Sequence, residues 1–109
     1  MRKVIAENKE AEAEETTQSK IAGWKKQYGR VFRLDVDGRT AYVRTPDRRI
    51  LALAAVEGGK DPIKYNEVVL RNCWIEGDEE IKTNDGLFLG ASAKLQELID
   101  VKEAELKEL

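Results

Sequence analysis

Arg30-Val-Phe-Arg-Leu-Asp-Val-Asp-Gly-Arg-Thr-Ala-Tyr-Val-Arg44 is the stretch that decides the fold, because it predicts a single β-hairpin. Asp37-Gly38 at its centre is typical of a two-residue type I′ turn, which needs a positive φ at both central positions. With that turn, Val36 pairs with Arg39, and the side chains of both strands alternate with a period of two. A slip of one residue would mix the two faces, so the turn and the alternation predict the same register.

This register assigns the hairpin side chains to two faces. The inner face carries Phe32, Leu34, Ala41 and Val43, and the outer face carries Arg33, Asp35, Thr40 and Tyr42. A two-stranded ribbon is only marginally stable alone, so its inner face needs a helix or further strands over it, and the helix predicted to begin at Pro46 is one candidate. The outer face has no predicted partner within the chain. Its four residues are therefore candidate protein-binding residues, together with the unpaired strand edges.

Composition narrows the class of protein. A chain of 109 residues forms one domain that buries roughly 65% of its unfolded surface. Charged residues make up 37% of it, and there is one cysteine and no histidine. The sequence therefore lacks the commonest general base and offers no disulfide and no Cys/His metal site. The first residues lack the apolar run of a signal peptide, and no stretch is long and apolar enough to span a bilayer, so we expect a cytoplasmic protein without a membrane partner.

Helical patterns precede the hairpin. Residues 1–18 are rich in Glu, Lys and Ala, and we interpret them as a charged arm or frayed helix, with an arm that folds on a partner as the alternative. Ser19 has the character of an N-cap, and Gly29 is placed to end the helix that follows. Ile21, Trp24 and Tyr28 share one face of that helix, and we expect this face to lie against the hairpin.

Two helix starts follow the hairpin. Thr45 is the predicted N-cap of a short, strongly apolar helix, and Pro46 is its predicted first residue. Gly58-Gly59 is predicted to end this helix. Asp61-Pro62 repeats the signal and begins a third helix. The predicted buried stripe of this helix consists of Ile63, Val69, Leu70, Cys73 and Trp74. Cys73 is interpreted as a small core residue, because no base accompanies it.

The last third of the chain is acidic, with ten acids against four lysines from Ile75 to Leu109. Residues 75–86 predict a solvated loop, because their acids do not follow the spacing of a calcium-binding EF-hand loop. Residues 87–109 predict one long amphipathic helix with near-heptad spacing. Its end carries Leu106 and Leu109, which are either solvated or in a helix–helix contact with a second subunit. Both are candidate protein-binding residues.

The sequence thus predicts an α+β fold: one antiparallel hairpin, flanked by an N-terminal helix and followed by three helices, the last long and amphipathic. Residues 19–109 form the predicted domain behind the arm at 1–18. No residues combine into a catalytic, cofactor-binding or metal-binding constellation, so we expect no enzyme and no cofactor. Residues 30–49 hold six arginines against three aspartates. These arginines leave a nucleic-acid-binding or regulatory role as the alternative function. Asp35 and Asp37 lie among them and reduce the net positive charge of this stretch.

The order of four motifs carries a family resemblance. These motifs are Ile21-Ala-Gly-Trp-Lys-Lys-Gln-Tyr-Gly29, the Val31–Val43 hairpin, Arg44-Thr-Pro-Asp47 and Asn72-Cys-Trp-Ile-Glu-Gly77. Together they resemble small tail-region proteins of tailed phages and prophages, including the tail assembly chaperones. The resemblance implies a non-enzymatic assembly protein in the cytoplasm of the host cell. It would bind a tape-measure or other tail protein, such as a tail-tube subunit, and the family carries no catalytic residues or cofactor.

Overall fold

The computed structural model of the chain describes residues 17–99 and 101–109. It divides into two compact units, the first ending at Val31 and the second running Phe32–Leu109. Most of the predicted arm, residues 1–16, lies outside the described residues. Helices accompany a three-stranded antiparallel sheet, which confirms the α+β class.

The described part of the first unit is helical over residues 17–28 (α1). Ser19 lies inside this helix, so its predicted role as N-cap is wrong. Gly29 adopts a φ of 85° and donates its N–H to the Lys25 carbonyl at 2.9 Å, which confirms the predicted helix end. Ile21, Trp24 and Tyr28 are half-buried, as is Thr17 at the start of α1. Their packing against the hairpin stays a prediction.

The hairpin consists of β1 (Val31–Val36) and β2 (Arg39–Arg44). Asp37 and Gly38 have φ angles of 46° and 76°, as the predicted type I′ turn requires. Across the two strands, the Thr40 hydroxyl donates to the Asp35 carboxylate at 2.8 Å, in agreement with the predicted register. The inner face is buried at Leu34, Ala41 and Val43.

A third strand, β3 (Trp74–Gly77), pairs antiparallel with β2 and completes a sheet of order β1-β2-β3. Ala41 lies opposite Gly77 and Tyr42 opposite Glu76, before an irregularity brings Val43 opposite Trp74. The predicted loop at 75–86 is therefore wrong in its first part, and Trp74 begins a strand instead of ending a helix. A strand of four residues depends on its neighbour for pairing, so its own sequence gives little signal.

Two capped helices follow the hairpin as predicted, although one cap differs. Helix α2 runs Arg48–Gly58, and its N-cap is Asp47, whose carboxylate accepts from the Ile50 N–H at 2.9 Å. The predicted cap, Thr45, lies two residues earlier, because α2 begins only after Asp47. Helix α3 runs Pro62–Cys73, and Asp61 caps it by accepting from two backbone N–H groups.

The C-terminal part differs most from its prediction. A single turn, α4 (Glu80–Thr83), interrupts the expected loop, and α5 runs Asp85–Glu97 with Asn84 as its N-cap. The predicted long helix therefore ends at Glu97, and residues 101–109 have no regular secondary structure. These residues are exposed throughout. A short helix in water is marginal without packing, even for strongly helix-forming residues.

Helices cover the inner face of the sheet through two adjoining clusters. The larger combines Val43 with residues of α2, α3 and α5: Ile50, Ala54, Val68, Val69, Leu70, Cys73, Phe88 and Leu95. The smaller joins Leu34 and Ala41 of the hairpin to Ile81 and Ala91. The prediction that α2 covers the hairpin is confirmed, and α3, α4 and α5 add to the cover. Ile63, expected in the core, is 44% exposed.

Candidate protein-binding site

The outer face of the sheet brings together the four candidate residues of the hairpin. The Asp35 carboxylate Oδ1 accepts from the Thr40 hydroxyl at 2.8 Å and from Nε of Arg33 at 3.0 Å. These interactions lower the pKa of Asp35 below its ordinary value, the Thr40 hydrogen bond first and the Arg33 hydrogen bond second. Tyr42 is half-buried opposite Glu76 of β3. The outer face is therefore a polar surface whose charged groups already satisfy one another.

The other arginines of the hairpin are also held in ion pairs. Nη2 of Arg39 lies 2.6 Å from Oε2 of Glu80, and its Nε lies 3.5 Å from Oδ2 of Asp78. Nη2 of Arg44 lies 2.9 Å from Oδ2 of Asp47. Three of the six arginines in residues 30–49, namely Arg33, Arg39 and Arg44, thus have an acidic neighbour. Surface ion pairs of this kind contribute little to stability, but they neutralise the local charge.

The other two candidates, Leu106 and Leu109, lie in the irregular segment 101–109. Both side chains are fully exposed, and Val101 at the start of the segment is 83% exposed. The two leucines therefore form no part of the outer face of the sheet. The helix end that would have carried them, either solvated or in contact with a second subunit, is not formed in residues 101–109.

A groove that the sequence did not predict opens where α2, α3 and α5 converge. It has a volume of about 280 Å³ and is lined mainly by apolar side chains: Pro46, Leu51, Tyr65, Asn66, Val69, Leu95, Gln96, Ile99 and Val101. Leu51 and Tyr65 are only half-buried, although both pack against the larger core cluster. The floor of the groove is therefore continuous with the core, and Tyr65, Asn66 and Gln96 are the lining residues whose side chains can form hydrogen bonds.

The groove lining contains few chemically reactive side chains. Its lining holds no carboxylate, amine, thiol or imidazole, and the phenol of Tyr65 is its one side chain of a type that takes part in acid–base catalysis. Its volume suits about one or two aliphatic side chains, less than most pockets that enclose small ligands. The lining comes from four stretches of chain. No short motif marks it, and only the apolar character of Leu51, Val69 and Leu95 could have hinted at it.

Cys73, the one nucleophilic side chain singled out in the sequence, lies in the core. It is fully buried, and desolvation raises the pKa of its thiol to about 11. The thiol is therefore protonated near neutral pH and shielded from reagents in solution. Its interpretation as a small core residue is confirmed.

Within residues 17–99 and 101–109, no three His, Cys, Asp or Glu side chains are grouped closely enough to hold a metal ion. Over the same residues, no helix combines the length and apolar character that crossing a membrane requires. Comparison of the chain with protein-family models, with curated proteins and with solved structures gave no match.

Proposed function

We propose that this protein is a non-enzymatic assembly protein of tailed phages, similar in role to the tail assembly chaperones. In this proposal, the groove between α2, α3 and α5 holds an apolar segment of a tape-measure or other tail protein. The observation that carries the proposal is the groove itself, an apolar concavity built on three core helices. The order of sequence motifs from Ile21 to Gly77 supports the choice of phage tail proteins as partners.

The groove suits one mode of peptide recognition in particular. An amphipathic helix can lay its apolar face into a hydrophobic groove, with side chains three or four positions apart as anchors. Leu51, Val69 and Leu95 would contact such anchors from three sides. Asn66 and Gln96 could donate or accept hydrogen bonds at the edge of the contact. This arrangement would keep an aggregation-prone segment out of water, which is the task of an assembly chaperone.

The ion pairs of the hairpin weigh against the nucleic-acid alternative. Phosphate binding needs arginine or lysine side chains that can release counterions and approach the backbone. Arg33, Arg39 and Arg44 each have an acidic partner within 3.0 Å. A nucleic acid would have to compete with these carboxylates. The same ion pairs occupy the carboxylates of Asp35 and Glu80.

Co-expression with the tape-measure protein of the same genome tests the proposal. We expect the tape-measure protein to stay soluble and to copurify with this chain. A complex that never forms, with the solubility of the tape-measure protein unchanged, would overturn the proposal. Duplex or single-stranded DNA that shifts at low salt, with weakening on added salt, would instead support the nucleic-acid alternative.

Two matched variants test whether the partner protein binds in the groove. Gln96 is an exposed residue of the groove lining, so Gln96→Arg puts a cation at its edge without disturbing the core. Ala93→Arg adds the same side chain one turn earlier on α5, where the residue is exposed and does not line the groove. Loss of copurification in Gln96→Arg alone supports binding in the groove. Equal behaviour of both variants would place the contact elsewhere.

A further inference from the structure

The C-terminal segment of the chain starts at the edge of the groove between α2, α3 and α5. Ile99 and Val101 both belong to the groove lining. Beyond Val101 the chain continues through residues 102–109, which have no regular secondary structure and are exposed throughout. This segment is therefore tethered to the groove by residues of the groove itself.

Two leucines of this segment, Leu106 and Leu109, are fully exposed to solvent. They are three positions apart, so they lie on the same side of the segment when it is helical. The residues around them are lysine, glutamate and alanine, all of which are strong helix formers. The segment therefore has the pattern of a short amphipathic helix whose apolar side consists of two leucines.

The tether is long enough for these leucines to reach the groove. The five positions from Val101 to Leu106 span about 8 Å in a helix and about 17 Å when extended. The axes of packed helices lie about 8–10 Å apart, so Leu106 can cross from the end of α5 to the wall that Leu51 of α2 forms. The groove has a volume of about 280 Å³, which suits one or two aliphatic side chains such as these leucines.

The charge at one end of the groove is complementary to that of the segment. Arg48 lies in the chain between Pro46 and Leu51, which both line the groove. Residues three apart on a helix are neighbours, so the Arg48 side chain lies beside Leu51 at the edge of the groove. No acidic side chain within residues 17–99 and 101–109 forms an ion pair with Arg48. Residues 102–109 carry three glutamates against two lysines, so they bring an excess of carboxylates to this edge.

We infer that residues 102–109 are a strap that closes over the groove, with Leu106 and Leu109 occupying it. The structure shows the open form, in which both leucines are exposed. Closure removes their apolar surface from water and requires the strap to become ordered. The short tether holds the strap near the groove at an effective concentration on the order of mM. A contact too weak to hold two separate molecules together therefore suffices to populate the closed form.

The strap would regulate binding in the groove, and this consequence rests on the proposed function. A helix of a tail protein and the strap use the same apolar lining, so the partner binds only the open form. The closed form then raises the apparent dissociation constant of the partner, because only the open fraction of the chains is competent to bind. The contact of the strap with the groove does not rest on the proposed function, since it forms within one chain.

Paramagnetic relaxation in the full chain tests the closure. A nitroxide label is attached to the strap at Glu108→Cys, and the buried Cys73 stays unlabelled in the native protein. We expect the label to broaden the methyl signals of the groove residues Leu51, Val69 and Leu95 selectively, to the same extent at every protein concentration.

Two matched variants of the labelled chain identify the contact. The double replacement of Leu106 and Leu109 by serine should abolish the selective broadening. Lys107→Ser should retain it, because both leucines stay in place. All three residues are exposed, so neither variant disturbs the core. The methyl signals of Ile81 are the internal reference, because Ile81 lies in the smaller core cluster and does not line the groove.

Three results of this experiment would overturn the inference. The first is broadening that is equal for the groove signals and the reference signals. The second is selective broadening that survives the loss of both leucines. The third is broadening that grows with protein concentration, since the occupant of the groove would then be the segment of a second copy.

Copurification with the tape-measure protein tests the competition separately. The double leucine variant should retain more of the tape-measure protein than the unsubstituted chain does. Equal or lower retention would show that the strap does not compete for the groove. Failure of the proposed function gives a different result, because no variant then retains the tape-measure protein while the selective broadening remains.

Discussion

Ala41 and Gly77 approach each other so closely that a Cβ on residue 77 would lie 2.5 Å from the Cα of Ala41. The two residues are paired across β2 and β3, and Ala41 is fully buried. No side chain larger than hydrogen fits at position 77 unless the strands separate. The glycine therefore allows β3 to join the sheet beside a buried residue of β2.

Gly77→Ala should consequently destabilise the fold. We expect the free energy of unfolding to fall by about 1–3 kcal/mol, the usual range for overpacking, measured by urea denaturation. Gly86→Ala is the matched control, because a Cβ there would lie 3.5 Å from Oδ1 of Asn84, an ordinary contact. Its effect should stay within about 0.5 kcal/mol. Equal stability of Gly77→Ala and the unsubstituted protein would contradict the close approach.

The N-terminus of α2 gives a second prediction, because the sequence predicts Thr45 as its cap and the structure has Asp47 there. Asp47→Ala removes the acceptor of the Ile50 N–H and should cost about 1 kcal/mol of unfolding free energy. Thr45→Val should leave stability nearly unchanged, since the buried Thr45 hydroxyl has no hydrogen-bond partner among the described residues. Thermal melts of both variants compare the two positions. A larger loss of stability in Thr45→Val than in Asp47→Ala would indicate that Thr45 is the cap.

The elements that the sequence predicts well are those that local chemistry determines. The Asp37-Gly38 turn and the alternation of its strands determine the hairpin register without help from the rest of the chain. Asp61-Pro62 likewise predicts the start of α3, because capping involves only adjacent backbone groups. The apolar composition of α2 was also evident. The sequence did not show which side of α2 faces solvent, because that depends on how α3 packs against it.

The failures occur where distant residues decide the structure. Trp74–Gly77 becomes a strand because β2 offers an edge for pairing, which the acidic sequence after Cys73 does not reveal. Residues 101–109 contain strong helix formers but are exposed throughout, so propensity alone misleads there. The groove combines residues from α2, α3, α5 and the start of the C-terminal segment. Its existence follows from their arrangement, and no single stretch predicts it.

The Asp35 carboxylate provides a prediction that depends on pH. Its pKa is lowered in the folded protein, so it stabilises the fold above its unfolded pKa, and this contribution is lost as the pH falls through the folded pKa. The Thr40 hydrogen bond is the largest cause. NMR titration should therefore find the pKa of Asp35 below its ordinary value of 3.8 and show it rising toward that value in Thr40→Val. Arg33→Gln should also raise this pKa, because it removes the charged donor that lies beside the carboxylate. An unshifted Asp35 would contradict the hydrogen-bonded outer face.

Burial of Cys73 should be measurable through its reactivity. The thiol is fully buried, with its pKa raised to about 11 mainly by desolvation. At pH 8 we expect no reaction with an aromatic disulfide reagent in the native protein and full reaction in concentrated denaturant. Rapid labelling of the native protein would contradict the buried position of Cys73 in α3.

Because the pKa of Cys73 is raised in the folded protein, the free energy of unfolding should fall at high pH. An unfolded chain ionises this thiol near its ordinary pKa of 9.0, whereas the folded chain does so only near about 11. Stability from the protonated thiol is therefore complete below pH 9 and is lost as the pH rises toward 11. Cys73→Ala is the reference, because it removes this thiol and leaves every other ionisable group of the chain in place. The stability advantage of the unsubstituted protein over Cys73→Ala should shrink from pH 8 to pH 11 in urea denaturation. A constant advantage across this range would show that the thiol titrates alike in both states.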